Sequence, residues 1–280
     1  MIEIPESTTI SEQATKILTG KVVSDVINAT SPHRFAWFNG DAQYYPYMLI
    51  GRTVEEVKGY GSFIDVCFDN ETHLAISDGT NMKYYTAVEK CPAKFQLLVA
   101  FEDGSYLVFT VAMYGNILAF CGKLDNAYYT GSIEKVSAMA ERFDFSFFCG
   151  LIEGARRDMS VKALLATEQR IPGLGNGVLQ DILFNARIHP KRKISTLNTE
   201  DKQILFHSIK ETLSDMIAKG GRDTERDFLG NVGGYRCILS KNTYAKPWAM
   251  RWKAVRPVLL VSFRPPRRRC KYLQCHKWRL

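Results

Sequence analysis

Apolar residues change their spacing once along this chain, and the change divides it. Near the N-terminus, Thr9-Ile10-Ser11-Glu12 has the form of a helical capping box. Ile10, Ala14, Ile17 and Leu18 follow at helical intervals until Gly20 interrupts them. The spacing then becomes that of strands. VVSDVI, SFIDVCF, HLAISDG, FQLLVAF, SYLVFTVAMYG and ILAF are short apolar or alternating runs, and Asp103-Gly104 in FEDGSY is a hairpin signal. Residues 1–122 therefore read as one helix followed by an antiparallel β-sandwich or flattened barrel. Residues 123–140 are polar, show little pattern and read as a linker. From about residue 143 the period is helical, in FDFSFFCGLI, SVKALLA, VLQDILFNA and EDKQILFHSIKETLSDMIAKGG. The last of these is predicted to begin at an N-cap Thr199 and to stop at Gly220-Gly221. The expected class is α+β, with a mainly helical domain over 141–229 and a further region over 230–280.

Composition narrows the class without naming a function. The 280 residues are 46% hydrophobic and 24% charged, as in ordinary globular chains. VLLVSF is the longest apolar run, so no membrane segment is expected. MIEIPESTT lacks the basic flank of a secretory signal. Seven scattered cysteines read as reduced thiols of a cytoplasmic protein. The net charge of +8 comes from the tail. Residues 238–280 hold 12 Lys and Arg and no acid, which leaves 25 basic against 29 acidic residues in the first 237. The chain as a whole is therefore not a uniformly basic nucleic-acid binder.

The informative stretch is RIPGLGNGVLQDILFNARIHP, residues 170–190. A helix that begins just after Gly-Leu-Gly-Asn presents unpaired amides, which favour anions and phosphate above all, and the glycines admit another backbone. A plain interhelical turn with Asn176 as N-cap is the alternative. Together with the N-terminal MIEIPE, this stretch resembles the formamidopyrimidine-DNA glycosylase and endonuclease VIII family. That family opens on a Pro-Glu-Leu-Pro-Glu type motif and carries a helix–two-turn–helix with a Gly-[Val/Leu/Ile]-Gly-Asn turn. The resemblance spans roughly residues 1–247.

The resemblance implies a bifunctional DNA glycosylase and AP lyase of base excision repair. Such an enzyme acts on oxidised bases in duplex DNA through an N-terminal amine that forms a Schiff base, followed by β-elimination. An α-amine suits the task, because its reference pKa of about 8 leaves far more of it unprotonated than a lysine at about 10.4. By the resemblance, the amine belongs to Met1 or Ile2, Glu3 is the acid/base, and Glu6 is structural and pocket-facing. Gly175, Asn176 and Lys162 would face DNA phosphates, with Lys58 a further DNA-facing lysine. Within SDGTNMKYY, Thr80, Asn81 and Met82 are candidates for the residue that fills the void left by a flipped base, Met82 being the natural apolar wedge.

Three departures accompany the likeness. Ile2 stands where the family has proline, and Ser62 where it has a DNA-contacting lysine. The family's zinc ribbon needs two Cys-x2-Cys pairs, whereas Cys237, Cys270, Cys275 and His276 are badly spaced. The tail is thus a degenerate zinc-ribbon-like region, and neither metal nor cofactor is expected. Its abrupt change of composition near residue 248 is also what a shifted reading frame would produce. Expected partners are double-stranded DNA with damaged bases or abasic sites, bound by a monomer in a bacterial-type, nucleoid-associated cytoplasmic setting. The rivals are a catalytically weakened lesion-binding protein of the same fold and a helix–two-turn–helix RNA binder. GGRDTERDFLGNVGGY, glycine-rich and mobile-looking, carries no legible lesion code.

Overall fold

The structure is a computed structural model that describes residues 1 to 239. Met1–Ile238 is one compact unit. Helix α1 (Ile4–Leu18) starts at Ile4, not at Thr9. Glu3 is its N-cap, Pro5 sits in the first turn where no amide partner is needed, and Glu6 Oε2 accepts the Glu3 amide at 3.3 Å. The apolar face Ile10, Ala14 and Leu18 is buried as its spacing predicts.

Next come β1 (Val23–Asn28), β2 (Ala36–Phe38), α2 (Tyr45–Leu49), β3 (Val54–Tyr60), β4 (Phe63–Phe68), β5 (Thr72–Tyr85), β6 (Leu97–Phe101) and β7 (Tyr106–Cys121). They form one seven-stranded sheet in the order β1-β6-β7-β5-β4-β3, with β2 added parallel to β7. The remaining named strand pairs are antiparallel, and Gly104 takes φ +78° in the β6–β7 turn that Asp103-Gly104 announced. Two runs read as separate strands, SYLVFTVAMYG and ILAF, are the single long β7.

The long strands β5 and β7 change register where Asp78 pairs Gly115 but Thr80 pairs Val111, which leaves Ala112–Tyr114 as a bulge opposite Gly79. Below the bulge the pair lies beside β4 and β3, and beyond it beside β6 and β1. One core holds Ile64, Val66, Leu74 and Ile117 from the first half together with Val26, Leu97, Val99 and Phe109 from the second. The expected sandwich is therefore a single bent sheet.

Helix α3 (Ala127–Glu134) occupies the stretch read as a patternless linker. Asn126 caps it, and Tyr129 docks on the outer face of the sheet among Phe63, Leu118 and Phe120. The helical region continues with α4 (Phe145–Glu153), a short π-helical turn at Ala163–Thr167, α5 (Asn176–Asn185) and α6 (Thr199–Ala218). The N-cap of α6 is Asn198, not Thr199, because Asn198 and Asp201 close a capping box. Buried Leu179, Ile182 and Leu183 of α5 meet Leu205, Ile209 and Leu213 of α6 in a separate core. Among the described residues no helix is long and apolar enough to cross a membrane.

Met82 corrects the expected wedge. It pairs with Phe109 across the strands, is 2% exposed and belongs to the core between the two halves of the sheet. Thr80 is buried too, and of the three candidates only Asn81 reaches solvent. Met82→Ala should therefore lower stability by about 2–5 kcal/mol, the cost of a cavity in a packed core. A denaturation midpoint measures that loss.

Candidate active site

The turn at 172–177 closes on the N-terminus of the chain. Ile4 donates its amide to the Gly173 carbonyl at 3.0 Å, and the Ser7 hydroxyl donates to the Gly61 carbonyl at 2.7 Å. Gly173 has φ +75°, and a Cβ there would overlap the Gly61 backbone at the tip of the β3–β4 hairpin. The glycines do admit another backbone, and it is the chain's own.

Beyond Gly175, the N-cap of α5, the amides of Gly177 and Val178 point at Glu3. They donate to Glu3 Oε1 at 2.9 Å and Glu3 Oε2 at 2.7 Å. These are two of the helix-start amides that the sequence assigned to a phosphate, and in the structure they hold a carboxylate. Asn176 is the first helical residue and not the N-cap. Its side chain is exposed and makes no hydrogen bond to another described residue. Gly175 faces inward, since a Cβ there would lie 2.6 Å from Glu3 Oε1.

Arg222 completes the cluster. Its Nε donates to Glu6 Oε1 at 2.9 Å and its Nη2 to Glu6 Oε2 at 2.7 Å, a bidentate pair. Nη1 lies 3.6 Å from Glu3 Oε2, and Nη2 also donates to the Met1 carbonyl at 3.2 Å. Glu3, Glu6 and Arg222 are all buried. A Cβ at Gly177 would overlap the guanidinium, so a side chain there would displace Arg222 from its pairing with Glu6. The Met1 amine in turn donates to Glu225 Oε2 at 2.6 Å, while the Ile2 side chain is buried in the core of the sheet. The first residue is thus held at its amine, at its carbonyl and by its neighbour's side chain.

Three carboxylates and two cations meet here, and the positive N-terminus of α5 offsets the remaining negative charge. Burial raises the Glu3 carboxyl above its ordinary range, against the pull of Arg222 and of the two amides. A carboxyl raised in this way can hold a proton nearer neutral pH than a solvated glutamate.

The other expected site residues lie outside this cluster. Lys162 is exposed, and its amide donates to the Pro190 carbonyl at 3.1 Å, which ties it to the His189-Pro190 stop. Lys58 pairs with Glu56. Val57 on one side of it points into the core, and the next residue, Gly59, packs on Ser7 of α1, so Lys58 projects from the opposite, outer face of the sheet. Ser62 stands at the hairpin tip, next to Gly61. Cys237 is buried beside Thr224 and Asp223, while Cys270, Cys275 and His276 lie outside the described residues.

Sequence reasoning missed Arg222 and Glu225, both in the segment read as a mobile glycine-rich loop. That segment is packed on the N-terminus, and Gln13 Nε2 further donates to Asp227 Oδ2 at 3.0 Å. The available signal was an arginine and a glutamate directly after a helix-stopping Gly-Gly in a chain with two unpartnered N-terminal acids.

Comparison with known proteins agrees with this architecture. Residues 136–227 match the family described as the formamidopyrimidine-DNA glycosylase H2TH domain. The formamidopyrimidine-DNA glycosylase of Cytobacillus firmus is 26% identical over 236 residues, covering 79% of this chain and 80% of that protein. That of a Bacillus cereus strain is 25% identical over 255 residues, 88% of each. The Lactococcus lactis Fpg in complex with abasic-site DNA superposes with a TM-score of 0.71 at 21% identity, covering 82% of this chain and 84% of that one. The MutM (Fpg) protein of Thermus thermophilus gives a TM-score of 0.67 at 21% identity, with 83% and 84% covered. Over about four-fifths of its length the chain is thus similar to formamidopyrimidine-DNA glycosylases, and residues 136–227 match their H2TH domain.

Arg222→Met should destabilise the protein by about 3–5 kcal/mol, because it leaves Glu6 buried without its partner. Arg222→Lys should recover only part of that loss, since an ammonium cannot make the bidentate pair. Chemical denaturation of the two variants beside the parent protein measures both.

Proposed function

We propose that the protein is a DNA glycosylase and AP lyase of base excision repair, acting on damaged bases or abasic sites in duplex DNA. The observation that carries this reading is the N-terminal amine held at 2.6 Å from Glu225, on the same buried cluster that closes the helix–two-turn–helix turn. The family and the DNA-bound relative support it. A bacterial cytoplasmic, nucleoid-associated setting follows from the same reading.

The Met1 amine is the nucleophile. Glu225 accepts the proton that the ammonium must lose, and the freed lone pair attacks C1′ of the flipped-out nucleotide as the bond to the base breaks. Glu3 is the acid/base of the exchange. The nitrogen then loses a second proton and the C1′–O4′ bond opens with a proton passed to O4′; the resulting Schiff base acidifies C2′, so that loss of a proton there expels the 3′ phosphate by β-elimination. The Met1 amine is primary, where a chain opening on proline would offer a secondary amine, and a primary amine suffices for an imine. Asn176, exposed at the start of α5, and the exposed Lys162 hold backbone phosphates. The wedge role passes to the bulge of β7. Met113 there is 58% exposed, and the register places Asp78, beside the bulge, one residue beyond the Phe63–Ser77 pair that adjoins the hairpin tip.

Borohydride should trap a covalent complex with abasic-site DNA, and peptide mapping should place the adduct on Met1. Glu3→Gln should slow base excision by about 10²–10⁴-fold, the usual worth of a positioned acid. It should also cost about 1–3 kcal/mol of stability, because an amide nitrogen would then face the Val178 or Gly177 amide. Loss of stability with no loss of excision would make Glu3 a clamp only. Intact DNA binding with no adduct would favour the lesion-binding rival, to which the full engagement of Glu3 by two amides also points.

Asn176→Ala should weaken duplex binding by about 1–3 kcal/mol, equally for damaged and undamaged DNA. Equilibrium titrations on matched duplexes measure this. A loss confined to damaged DNA would show that Asn176 reads the lesion.

A further inference from the structure

A second cluster of reactive side chains lies on the outer face of the sheet, away from the N-terminal site. Asp65 and Cys67 are two apart on β4 and so share a face, while His73 on β5 pairs directly opposite Cys67. One ligand atom from each of the three lies within 4.8 Å of the others. The spacing in a tetrahedral site is roughly 3.3–3.8 Å, within reach of small side-chain rotations.

The state of Asp65 points to a ligand. It is 1% exposed, and its Oδ2 accepts from Tyr129 Oη at 2.6 Å and faces His73 Nδ1 at 3.1 Å. Its Oδ1 is buried with no hydrogen-bond partner among the described residues. One carboxylate oxygen oriented by a tyrosine and the other left bare is the arrangement of a monodentate metal ligand with an outer hydrogen bond. Phe120 stacks on His73 with centroids 4.9 Å apart and planes 8° from parallel, which fixes the imidazole. On the neighbouring strand β3, Glu56 pairs opposite Cys67 and Lys58 opposite Asp65. The Glu56–Lys58 ion pair cancels their charges, which leaves protonated His73 as the counter-charge of Asp65 until a cation takes that place.

We propose that Asp65, Cys67 and His73 bind a divalent zinc-type cation, with Tyr129 orienting the aspartate and solvent completing the tetrahedron on the half-exposed side of His73. A thiolate, an imidazole and one carboxylate select zinc over magnesium or calcium, which prefer all-oxygen shells. The bound ion pins α3 to the sheet through Tyr129. The site is independent of the repair reading. It escaped the cysteine-spacing search because its ligands are set by cross-strand register and not by a Cys-x2-Cys turn.

Full-length protein freed of metal with chelator and titrated with Co²⁺ tests the site. The expected result is one equivalent bound, with a thiolate-to-cobalt charge-transfer band that Zn²⁺ abolishes. The band should persist in a Cys270→Ser/Cys275→Ser variant and vanish in Cys67→Ser and in His73→Gln. His73 is half-exposed, so the second variant keeps the test valid should Cys67→Ser not fold. Zn²⁺ should raise the Tm of the parent protein and of the tail variant, but not that of His73→Gln. A band that follows the tail cysteines, or no band in the tail variant, would show that Asp65, Tyr129 and His73 form only a hydrogen-bonded network and would overturn the proposal.

Discussion

Arg222 is the residue on which this architecture turns. Its guanidinium is 3% exposed and answers two buried glutamates from the start of α1, and through the Met1 carbonyl it also holds the first residue of the chain. Buried charges are tolerated only when paired and hydrogen-bonded, so Glu3, Glu6 and Arg222 each make the presence of the others obligatory. The segment after α6 cannot leave the N-terminus without stranding two carboxylates in a low-dielectric interior. That constraint holds the amine in place.

The same constraint explains the helix–two-turn–helix glycines. Glu3 has to reach the first amides of α5, and Arg222 has to pass beside them. At Gly175 and Gly177 a side chain would occupy the volume of the carboxylate or of the guanidinium. At Gly173 the hairpin tip at Gly61 comes too close for a Cβ. An anion site made from a helix start is used here internally, by a carboxylate that also begins α1. Asn176 beside it stays exposed. Sheet, turn and buried charge cluster are consequently a single packing unit.

Much of this was written in local sequence. The change of apolar period near residue 140, the Asp103-Gly104 hairpin, the stop at Gly220-Gly221 and the turn before Val178 depend on residues a few positions apart, and each stands in the structure. Glu3 and Glu6 were legible as candidates because the N-terminal motif and the turn resemble one family. The start of α1, the internal direction of Gly175 and the burial of Met82 were not legible. Met82 has the size and flexibility of a wedge, and only its pairing with Phe109 in a core shared by both halves of the sheet shows that it faces inward.

Sequence by itself thus determined most of the elements, the order of the two regions and the turn before α5, because helical and strand periods and turn chemistry are short-range properties. Tertiary structure alone decided which charges meet. Glu6 and Arg222 are 216 positions apart, and the Met1 amine and Glu225 are 224 apart. No local spacing marks such pairs. Their meeting is decided by which buried carboxylate lacks a counter-charge once the sheet and the helices have packed.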